Sequence, residues 1–384
     1  MWLIICKIFL SILKHRIKVY KCQFEVRRRE AFSSEHVCAP TCVCYDFALL
    51  KEPSWSLKLT EPLMTNKFKL LFFGSDIFSV RVLNSILINK TCPVQVVTKP
   101  KTILHQFSKN NNIIHYTWTP GIGAIDPRTF NIGLVASFGA MIDIATIEKF
   151  DHGLFNVHPS LLPVFRGSTP VQAAILAGIK ETGCTVMKIP PVEKFDIGHI
   201  VLQEKLLVKR GEYARDLMVR LADLGGHMAN RLLLEYDSVI ENVKPQSEAE
   251  RSYAKRLKPE MGLLSFKSES SVQIDRKVRA YTSYIGLYTY CLGGLRCNLK
   301  DMKDPQDVAT YNLDRLAKMA NHVDVVPGVM FFHKKRKTLC IKCSNGGWLA
   351  FDRISPMNKN SMSALEFHNG YLSKVEPQRH ITDI

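Results

Sequence analysis

The chain has 384 residues, 46% of them hydrophobic, so it is long enough for two folded domains and too apolar to be a disordered protein. It carries 52 Lys and Arg against 35 Asp and Glu, and the net charge of +17 favours a polyanionic partner such as RNA or an acidic membrane surface. The 11 cysteines are odd in number and scattered, which argues against a secreted disulfide scaffold and favours a reducing compartment.

The N-terminal segment is basic, acid-free and apolar. Residues 1–24 contain five Lys and Arg and no Asp or Glu, a composition typical of a mitochondrial presequence. The segment is too short and too interrupted to cross a membrane, which takes roughly 20 apolar residues. A secretory signal, in which charge precedes the apolar run, and an upstream stretch that is poorly translated or disordered remain the alternatives. We predict that residues 1–67 are an extension and that the protein is located in the mitochondrial matrix.

A folded domain is predicted to begin near Phe68. Phe68–Phe73 is an apolar run followed by Gly74-Ser75-Asp76 and a helical pattern over 77–87, which predicts a strand, a tight turn and a helix. Further strands are predicted at 94–98 and 132–137. This alternation favours a doubly wound, parallel α/β sheet with its ligands at the carboxyl ends of the strands. The single glycine in the first turn disfavours a dinucleotide cofactor.

Residues 155–178 (FNVHPSLLPVFRGSTPVQAAILAG) combine polar side chains with a rigid loop. Asn156 and His158 are two residues apart, so they face the same side of an extended strand. Two prolines stiffen the loop that follows. Ser168 or Thr169 is a suitable N-cap for a helix that begins at Pro170. We interpret this arrangement as a site, although a lone histidine on a loop would more often be an ordinary surface residue.

A third polar side chain, Asp196, follows another predicted strand at 184–187. Gly198 allows a sharp turn of the backbone just after it. Asn156, His158 and Asp196 are therefore expected to come together at the ends of strands.

The string Asn156-Val157-His158-Pro159-Ser160-Leu161-Leu162-Pro163, followed by Arg166-Gly167 and by Asp196-x-Gly198, resembles the folate-dependent formyltransferases. The resemblance implies a Rossmann-like catalytic domain that uses 10-formyltetrahydrofolate as its co-substrate. It also implies that Asn156 and His158 act at the formyl carbonyl and that Asp196 orients the imidazole and balances its charge. The residues expected to contact the folate are Ser160, Leu161, Leu162, Pro163, Phe138 and Gly139.

These residue types suit formyl transfer to an amine. Attack on the formyl carbon creates an oxyanion, and the Asn156 amide and a protonated His158 could each stabilise it by about 3–4 kcal/mol. The attacking amine must lose a proton and the folate nitrogen must gain one, which a His–Asp pair can relay near neutral pH. No covalent intermediate with the enzyme is required.

The second half predicts a different architecture and a polyanionic partner. A long helix over 213–240 would close the first domain, which we place at 68–242, and residues 243–262 read as a linker. Residues 263–384 resemble the C-terminal domain of methionyl-tRNA formyltransferases, a small open β-barrel (OB-like) that binds tRNA. Residues 251–384 contain 22 Lys and Arg against 12 Asp and Glu, so they carry +10 of the net charge. The resemblance implies methionyl-initiator-tRNA as the acceptor, and the residues expected to contact it are Arg166, Lys334, Lys335 and Arg336.

Two features depart from the bacterial members of this family. Bacterial members have a longer basic loop after the second strand, whereas Lys99-Pro100-Lys101 here runs directly into the next helical stretch. The sequence Asp196-Ile197-Gly198-His199 stands where bacterial members often have D-x-G-D. Together with the N-terminal segment, these departures resemble a mitochondrial version.

Three other functions remain open from the sequence. A formyltransferase that acts on a small amine would need no basic second domain, and a formyl-folate hydrolase would use water in place of the amine. A non-catalytic RNA-binding protein would have no need of the three polar side chains. We expect a monomer that binds no membrane. We also expect no metal site, because the cysteine clusters at 38–44 and 340–343 do not form two matched pairs.

Overall fold

Seven strands of the first half form one mixed sheet in the computed structural model. They are β1 (Leu70–Gly74), β2 (Val94–Thr98), β3 (His115–Thr117), β4 (Ile132–Ala136), β5 (Leu154–His158), β7 (Glu181–Lys188) and β8 (His199–Leu207). Their order across the sheet is β3-β2-β1-β4-β5-β7-β8. Strands β1 to β5 are parallel, which confirms the Rossmann-like part of the prediction. The residues that the structure describes are 67–118, 129–192, 194–319, 325–376 and 379–382. All of the predicted extension at 1–67 except Lys67 therefore lies outside them, as does Glu193.

The last two strands extend the sheet in the antiparallel sense, which the sequence analysis did not foresee. His158 at the end of β5 lies opposite Thr185 of β7, and β7 pairs with β8 around an irregularity between Val186 and Met187. A hairpin needs no crossover helix, so the chain returns through the loop 189–198 alone. This loop carries Asp196.

Helices cover the two faces of the sheet. They are α1 (Ile77–Asn89), α2 (Ile103–Asn110), α3 (Ile144–Ile147), α4 (Pro170–Ala177), α5 (Ala214–Leu234) and α6 (Tyr236–Ile240). The predicted helix over 213–240 is thus divided at Glu235. The strand β1 alternates between two apolar layers, with Leu70 and Phe72 in the larger cluster and Leu71 and Phe73 in the smaller one. The connection between β2 and α2 spans only residues 99–102, as expected from the sequence.

Two glycines bring α5 close to the strand that carries the predicted site. A Cβ atom on Gly225 would lie 2.7 Å from Cγ1 of Val157 in β5, and one on Gly226 would lie 2.6 Å from Cβ of Ser85 in α1. Contacts this short are not tolerated in a packed interior, so both positions require glycine. The close packing places α5 directly against β5 and α1.

The second half is an antiparallel sheet, which confirms that part of the predicted fold class. Its strands are β10 (Tyr288–Cys291), β11 (Leu295–Met302), β12 (Met330–His333), β13 (Thr338–Lys342), β14 (Trp348–Pro356) and β15 (Met362–Ser363). The order is β10-β11-β14-β13-β12, with β15 on β14. Thr382 bridges to Cys291 and Ile381 bridges to Val329, so the last described residues join the two ends of the sheet. The accompanying helices are α7 (Ser271–Tyr281), α8 (Pro305–Ala309), α9 (Leu313–Met319) and α10 (Ala364–Gly370).

The predicted linker makes a small sheet with the first half. Strand β9 (Tyr253–Ala254) pairs in parallel with β6 (Arg166–Gly167), directly after the loop that follows β5. Short 3₁₀ turns at Glu248–Glu250 and Pro259–Gly262 flank β9. Among the described residues, no helix is long and apolar enough to cross a membrane.

Candidate active site

Asn156, His158 and Asp196 meet at one edge of the first sheet. Oδ1 of Asp196 lies 3.6 Å from Nδ1 of His158 and accepts a hydrogen bond of 3.3 Å from Nδ2 of Asn156. The other carboxylate oxygen accepts the backbone N–H of Gly167 at 2.8 Å. The structure therefore brings together the three side chains that the sequence singled out, with the carboxylate at their centre.

The local backbone explains how Asp196 reaches this position. Asp196 has a φ of 56°, in the left-handed region that aspartate and asparagine tolerate better than most residues. Two residues later, a Cβ atom on Gly198 would lie 1.9 Å from the carbonyl oxygen of Lys188, so only glycine fits there. The turn folds the loop back over the sheet and directs the carboxylate towards β5.

His158 is held from both ring nitrogens. Its Nε2 bonds to the carbonyl oxygen of Phe165 at 3.1 Å, and since a carbonyl can only accept, Nε2 carries the proton in this bond. Nδ1 faces the Asp196 carboxylate, and the His158 residue is only 5% exposed. A substrate atom would engage the ring by replacing the Phe165 carbonyl as the acceptor at Nε2, while Asp196 compensates the charge on the other side.

The loop after β5 has a fixed shape. Ser160 is fully buried, its hydroxyl donates to the carbonyl of Val164 at 2.6 Å, and its own carbonyl accepts from the hydroxyl of Thr185 at 2.7 Å. The backbone N–H of Leu162 also donates to the Thr185 hydroxyl, at 3.1 Å. Of the residues predicted to contact the folate, Ser160 and Leu162 thus stabilise the loop, Pro163 is also buried, and Leu161 remains partly exposed.

Phe138 and Gly139 lie at the carboxyl end of β4. The Phe138 ring is 2% exposed and packs edge-on against Phe73 and Trp118, with ring centroids 5.6 and 5.1 Å away. Gly139 is exposed, has a φ of 66°, and its carbonyl accepts from Nζ of Lys99 at 2.5 Å. Any contact with a ligand would therefore come from the Gly139 backbone, while the Phe138 ring belongs to the core.

Asp76, whose carboxyl group is partly buried, lies next to the end of β4. It caps α1 by accepting the backbone N–H groups of Phe78 and Ser79, and it accepts the Ser137 hydroxyl at 2.5 Å. Burial raises the pKa of the Asp76 carboxyl, and these hydrogen bonds oppose that rise. From the sequence alone, Asp76 is expected only to be part of a turn.

Arg166 has partners other than those expected. It is 2% exposed, and its guanidinium donates to the side-chain oxygen of Gln246 at 2.8 and 3.0 Å and to Glu248 at 2.9 Å. Hydrogen bonds from Arg166 and Arg251 hold the pKa of the Glu248 carboxyl below its usual range. The guanidinium is therefore engaged by the linker rather than exposed to an acceptor, and neither Gln246 nor Glu248 was identified from the sequence.

The basic run at 334–337 forms the exposed turn between β12 and β13, as predicted for a hairpin. The Arg336 guanidinium lies 4.8 Å from the centre of the Tyr311 ring, and the backbone N–H of Arg336 donates to Nδ1 of His333. Burial, and then the positive charges of Arg336 and Lys335, lower the pKa of His333. Four cationic side chains thus project from a turn whose base is fixed.

Cysteines form no metal site in the part of the chain that the structure describes, where no group of three or more His, Cys, Asp and Glu side chains could hold a metal ion. Cys340 and Cys343 are fully buried, and burial raises the pKa of each thiol to about 12. They are core residues. The cluster Cys38, Cys42 and Cys44 lies outside the described residues.

Comparisons with known proteins agree with this two-part architecture. A family model described as formyl transferase matches residues 122–233, and one described as formyl transferase, C-terminal domain, matches residues 256–372. The mitochondrial methionyl-tRNA formyltransferase of Homo sapiens is 30% identical over 346 residues, which cover 86% of this chain and 81% of that protein. The methionyl-tRNA formyltransferase of Lachnospira eligens is 27% identical over 79% of this chain and 96% of its own length.

Solved structures share the fold. HypX from Aquifex aeolicus in complex with tetrahydrofolic acid is 14% identical and has a TM-score of 0.51, with 80% of this chain and 48% of HypX covered. A multiply substituted variant of HypX is 13% identical and has a TM-score of 0.56 over the same shares of the two chains. At this identity the likeness concerns the fold alone.

Proposed function

The chain belongs to the methionyl-tRNA formyltransferase family, and from this premise we propose that it moves the formyl group of 10-formyltetrahydrofolate to the α-amine of methionine on initiator tRNA. The observation that carries the proposal is the meeting of Asn156, His158 and Asp196 at the sheet edge of the matched catalytic domain. The folate is consumed as a co-substrate. The enzyme is a transferase of one-carbon groups.

The proposed mechanism uses these three side chains. The methionine amine attacks the formyl carbon, and the Asn156 amide N–H and the His158 ring donate to the oxyanion that develops. As the C–N bond to the folate breaks, the amine gives up one proton and the folate nitrogen takes one, relayed by His158. Asp196 balances the imidazolium charge through Nδ1 at 3.6 Å. No covalent bond to the enzyme forms.

The folate is proposed to lie between the loop after β5 and the end of β4. In this position it would contact Leu161 and the backbone of Gly139. Ser160, Leu162, Pro163 and Phe138, which are buried, would support these contacts from behind. This position is supported by the general rule that ligands of open α/β sheets bind at the carboxyl ends of the strands.

The acceptor RNA is proposed to bind through the basic C-terminal domain. Lys334, Lys335 and Arg336 lie on one exposed turn, where they can contact phosphates without reading the base sequence. We propose domain boundaries at 68–242 and 263–384 with a linker at 243–262, and a monomeric protein. Four similar relatives are mitochondrial enzymes, and we propose the mitochondrial matrix for this one.

One assay tests the reaction and the acceptor together. The full chain is incubated with 10-formyltetrahydrofolate and with methionine-charged initiator tRNA, and N-formylmethionine is measured. A second arm omits the tRNA and measures turnover of the folate. We expect transfer that depends on the charged tRNA. Folate turnover without any acceptor would instead indicate the hydrolase, and transfer to free amines would indicate a small-amine enzyme.

A further inference from the structure

Gln246 stands apart from the rest of the linker. Every residue from 241 to 250 is exposed except Gln246, which is partly buried. Its amide nitrogen donates to the carbonyl oxygens of Asp196 at 3.0 Å and Gly198 at 2.7 Å. Its amide oxygen accepts from Nε and Nη2 of Arg166 at 3.0 and 2.8 Å. Both N–H donors and both lone pairs of this side chain are therefore directed at the candidate active site.

The bonds donated by Gln246 hold the turn that orients Asp196. A φ of 56° lies in the left-handed region, which even aspartate adopts less readily than glycine, so contacts with the surroundings help to hold it. The Gln246 amide donates hydrogen bonds to two carbonyls of this turn, one of them on Asp196 itself. Because the direction of the Asp196 carboxylate follows from its backbone, these two bonds set the position of the carboxylate relative to His158.

The bonds that Gln246 accepts from Arg166 fix the segment that contacts the opposite side of the His158 ring. Arg166 is preceded by Phe165, whose carbonyl bonds to Nε2 of His158, and is followed by Gly167, whose N–H bonds to Asp196. Gln246 therefore connects the segment that contacts Nε2 with the turn that faces Nδ1. The Gln246 amide thus connects the two segments that contact the His158 ring, one at each ring nitrogen.

We propose that Gln246 is a positioning residue for formyl transfer, which acts by fixing the Asp196 carboxylate against His158. This proposal rests on the proposed function, since it assigns Asp196 a part in the reaction. The linker is then a component of the catalytic apparatus as well as a connection between domains. Since Gln246 acts on the position of Asp196, we expect the effect of removing it to fall on kcat and not on KM.

A single substitution separates this role from simple support of the fold. Gln246→Glu keeps an acceptor for Arg166 but replaces the donor that faces the Asp196 and Gly198 carbonyls with a repelling oxygen. Displacement of a reacting group by about 1 Å can cost roughly 100-fold in rate, so we expect kcat to fall about 10–100-fold with little change in the KM for charged tRNA. Ser247→Ala, on the exposed neighbouring residue, is the matched control and should leave both constants unchanged.

A double-mutant cycle shows whether Gln246 acts through Asp196. In an Asp196→Asn background, Gln246→Glu should cost less than about threefold, because residues that act through one another are not additive. Equal losses in the two backgrounds would overturn the proposal, as would a loss confined to KM.

Crystal structures of the full chain give a readout that does not depend on activity. In Gln246→Glu the separation between Nδ1 of His158 and Oδ1 of Asp196 should exceed the 3.6 Å found here. An unchanged separation would refute the positioning role, whatever the rate. A parent protein that fails to formylate charged tRNA would instead refute the proposed function, while the crystallographic comparison would still decide whether Gln246 fixes the Asp196 carboxylate against His158.

Discussion

Replacement of Asp196 by asparagine would remove one negative charge and one of two acceptor oxygens, the one that faces His158 and Asn156. The amide oxygen of asparagine can still accept the N–H of Gly167, now 2.8 Å from the carboxylate. Asparagine also tolerates the left-handed φ of 56°. The substitution therefore tests the charge that faces His158 with the turn kept in place.

The size of the effect follows from the geometry. The side chains of His158 and Asp196 are 6% and 10% exposed and their nearest atoms are 3.6 Å apart. Two unit charges at this separation, with an effective dielectric constant of about 20, interact by about 4–5 kcal/mol. Only the part of this interaction that strengthens as His158 becomes charged in the transition state counts towards the rate. We therefore expect a loss of about 2–4 kcal/mol in transition-state stabilisation, or roughly 30–1000-fold in kcat/KM.

The assay is formylation of methionine-charged initiator tRNA at saturating folate. Asp237→Asn is the control, because the Asp237 side chain is 81% exposed and pairs only with Lys67 in the described structure. It should stay within about twofold of the parent, as expected for an exposed ion pair remote from the site. A loss of less than about threefold for Asp196→Asn would refute the reasoning, since the charge would then contribute little to the transition state.

Three further substitutions test other parts of the structure. His158→Ala should abolish transfer while the thermal unfolding midpoint and tRNA affinity stay near those of the parent; a large fall in the midpoint would show that His158 is structural. Lys334, Lys335 and Arg336 changed together to Ala should weaken tRNA binding and reduce the slope of log K against log salt by about 2–3, since each phosphate contact accounts for roughly 0.7–0.9; an unchanged slope would exclude this contact. Asp76→Ala should lower the free energy of unfolding by about 1–2 kcal/mol through loss of the α1 cap, whereas Asp76→Asn should cost less. Because burial raises the pKa of Asp76, ionisation of this carboxyl opposes folding, so the parent should gain stability relative to Asp76→Asn as the pH falls through the raised pKa towards 3.8; urea unfolding that shows no such trend would contradict the assignment.

The parallel strands could be predicted from the sequence because their information is local. Each of β1, β2 and β4 is a short apolar run with a helical pattern or a turn after it, and the observed bounds lie within about two residues of those expected. The antiparallel direction of β7 and β8 could not be predicted in this way. Direction depends on how the loop 189–198 folds back, and periodicity carries no information about that.

Most of the candidate site could also be predicted from local sequence, but one residue beside it could not. Asn156 and His158 share a strand, and Gly198 marks the turn beside Asp196, so a short stretch of sequence contains the pattern. Gln246 lies 50 residues beyond Asp196 in a polar stretch typical of a linker. Its role arises from tertiary hydrogen bonds alone, which no local pattern indicates.

Arg166 illustrates a limit of inference from charge. An arginine beside a predicted active site and a basic domain suggests contact with an anion, yet this side chain is enclosed by Gln246 and Glu248. Burial reverses the interpretation, because an enclosed guanidinium needs fixed partners within the protein. The exposed turn at 334–337, by contrast, has the position that its composition suggested.

The pairing of β9 with β6 bears on how such proteins can be divided and recombined. A chain cut after Ile240 would keep every strand of the seven-stranded sheet but lose the strand that hydrogen-bonds Arg166 and Gly167, together with the amide on the Asp196 turn. An exchange of C-terminal domains between homologues would therefore preserve activity only if the crossover lay beyond Ala254. The residues needed for catalysis therefore extend beyond the first domain into the linker. We expect the linker sequence to diverge together with that of the first domain.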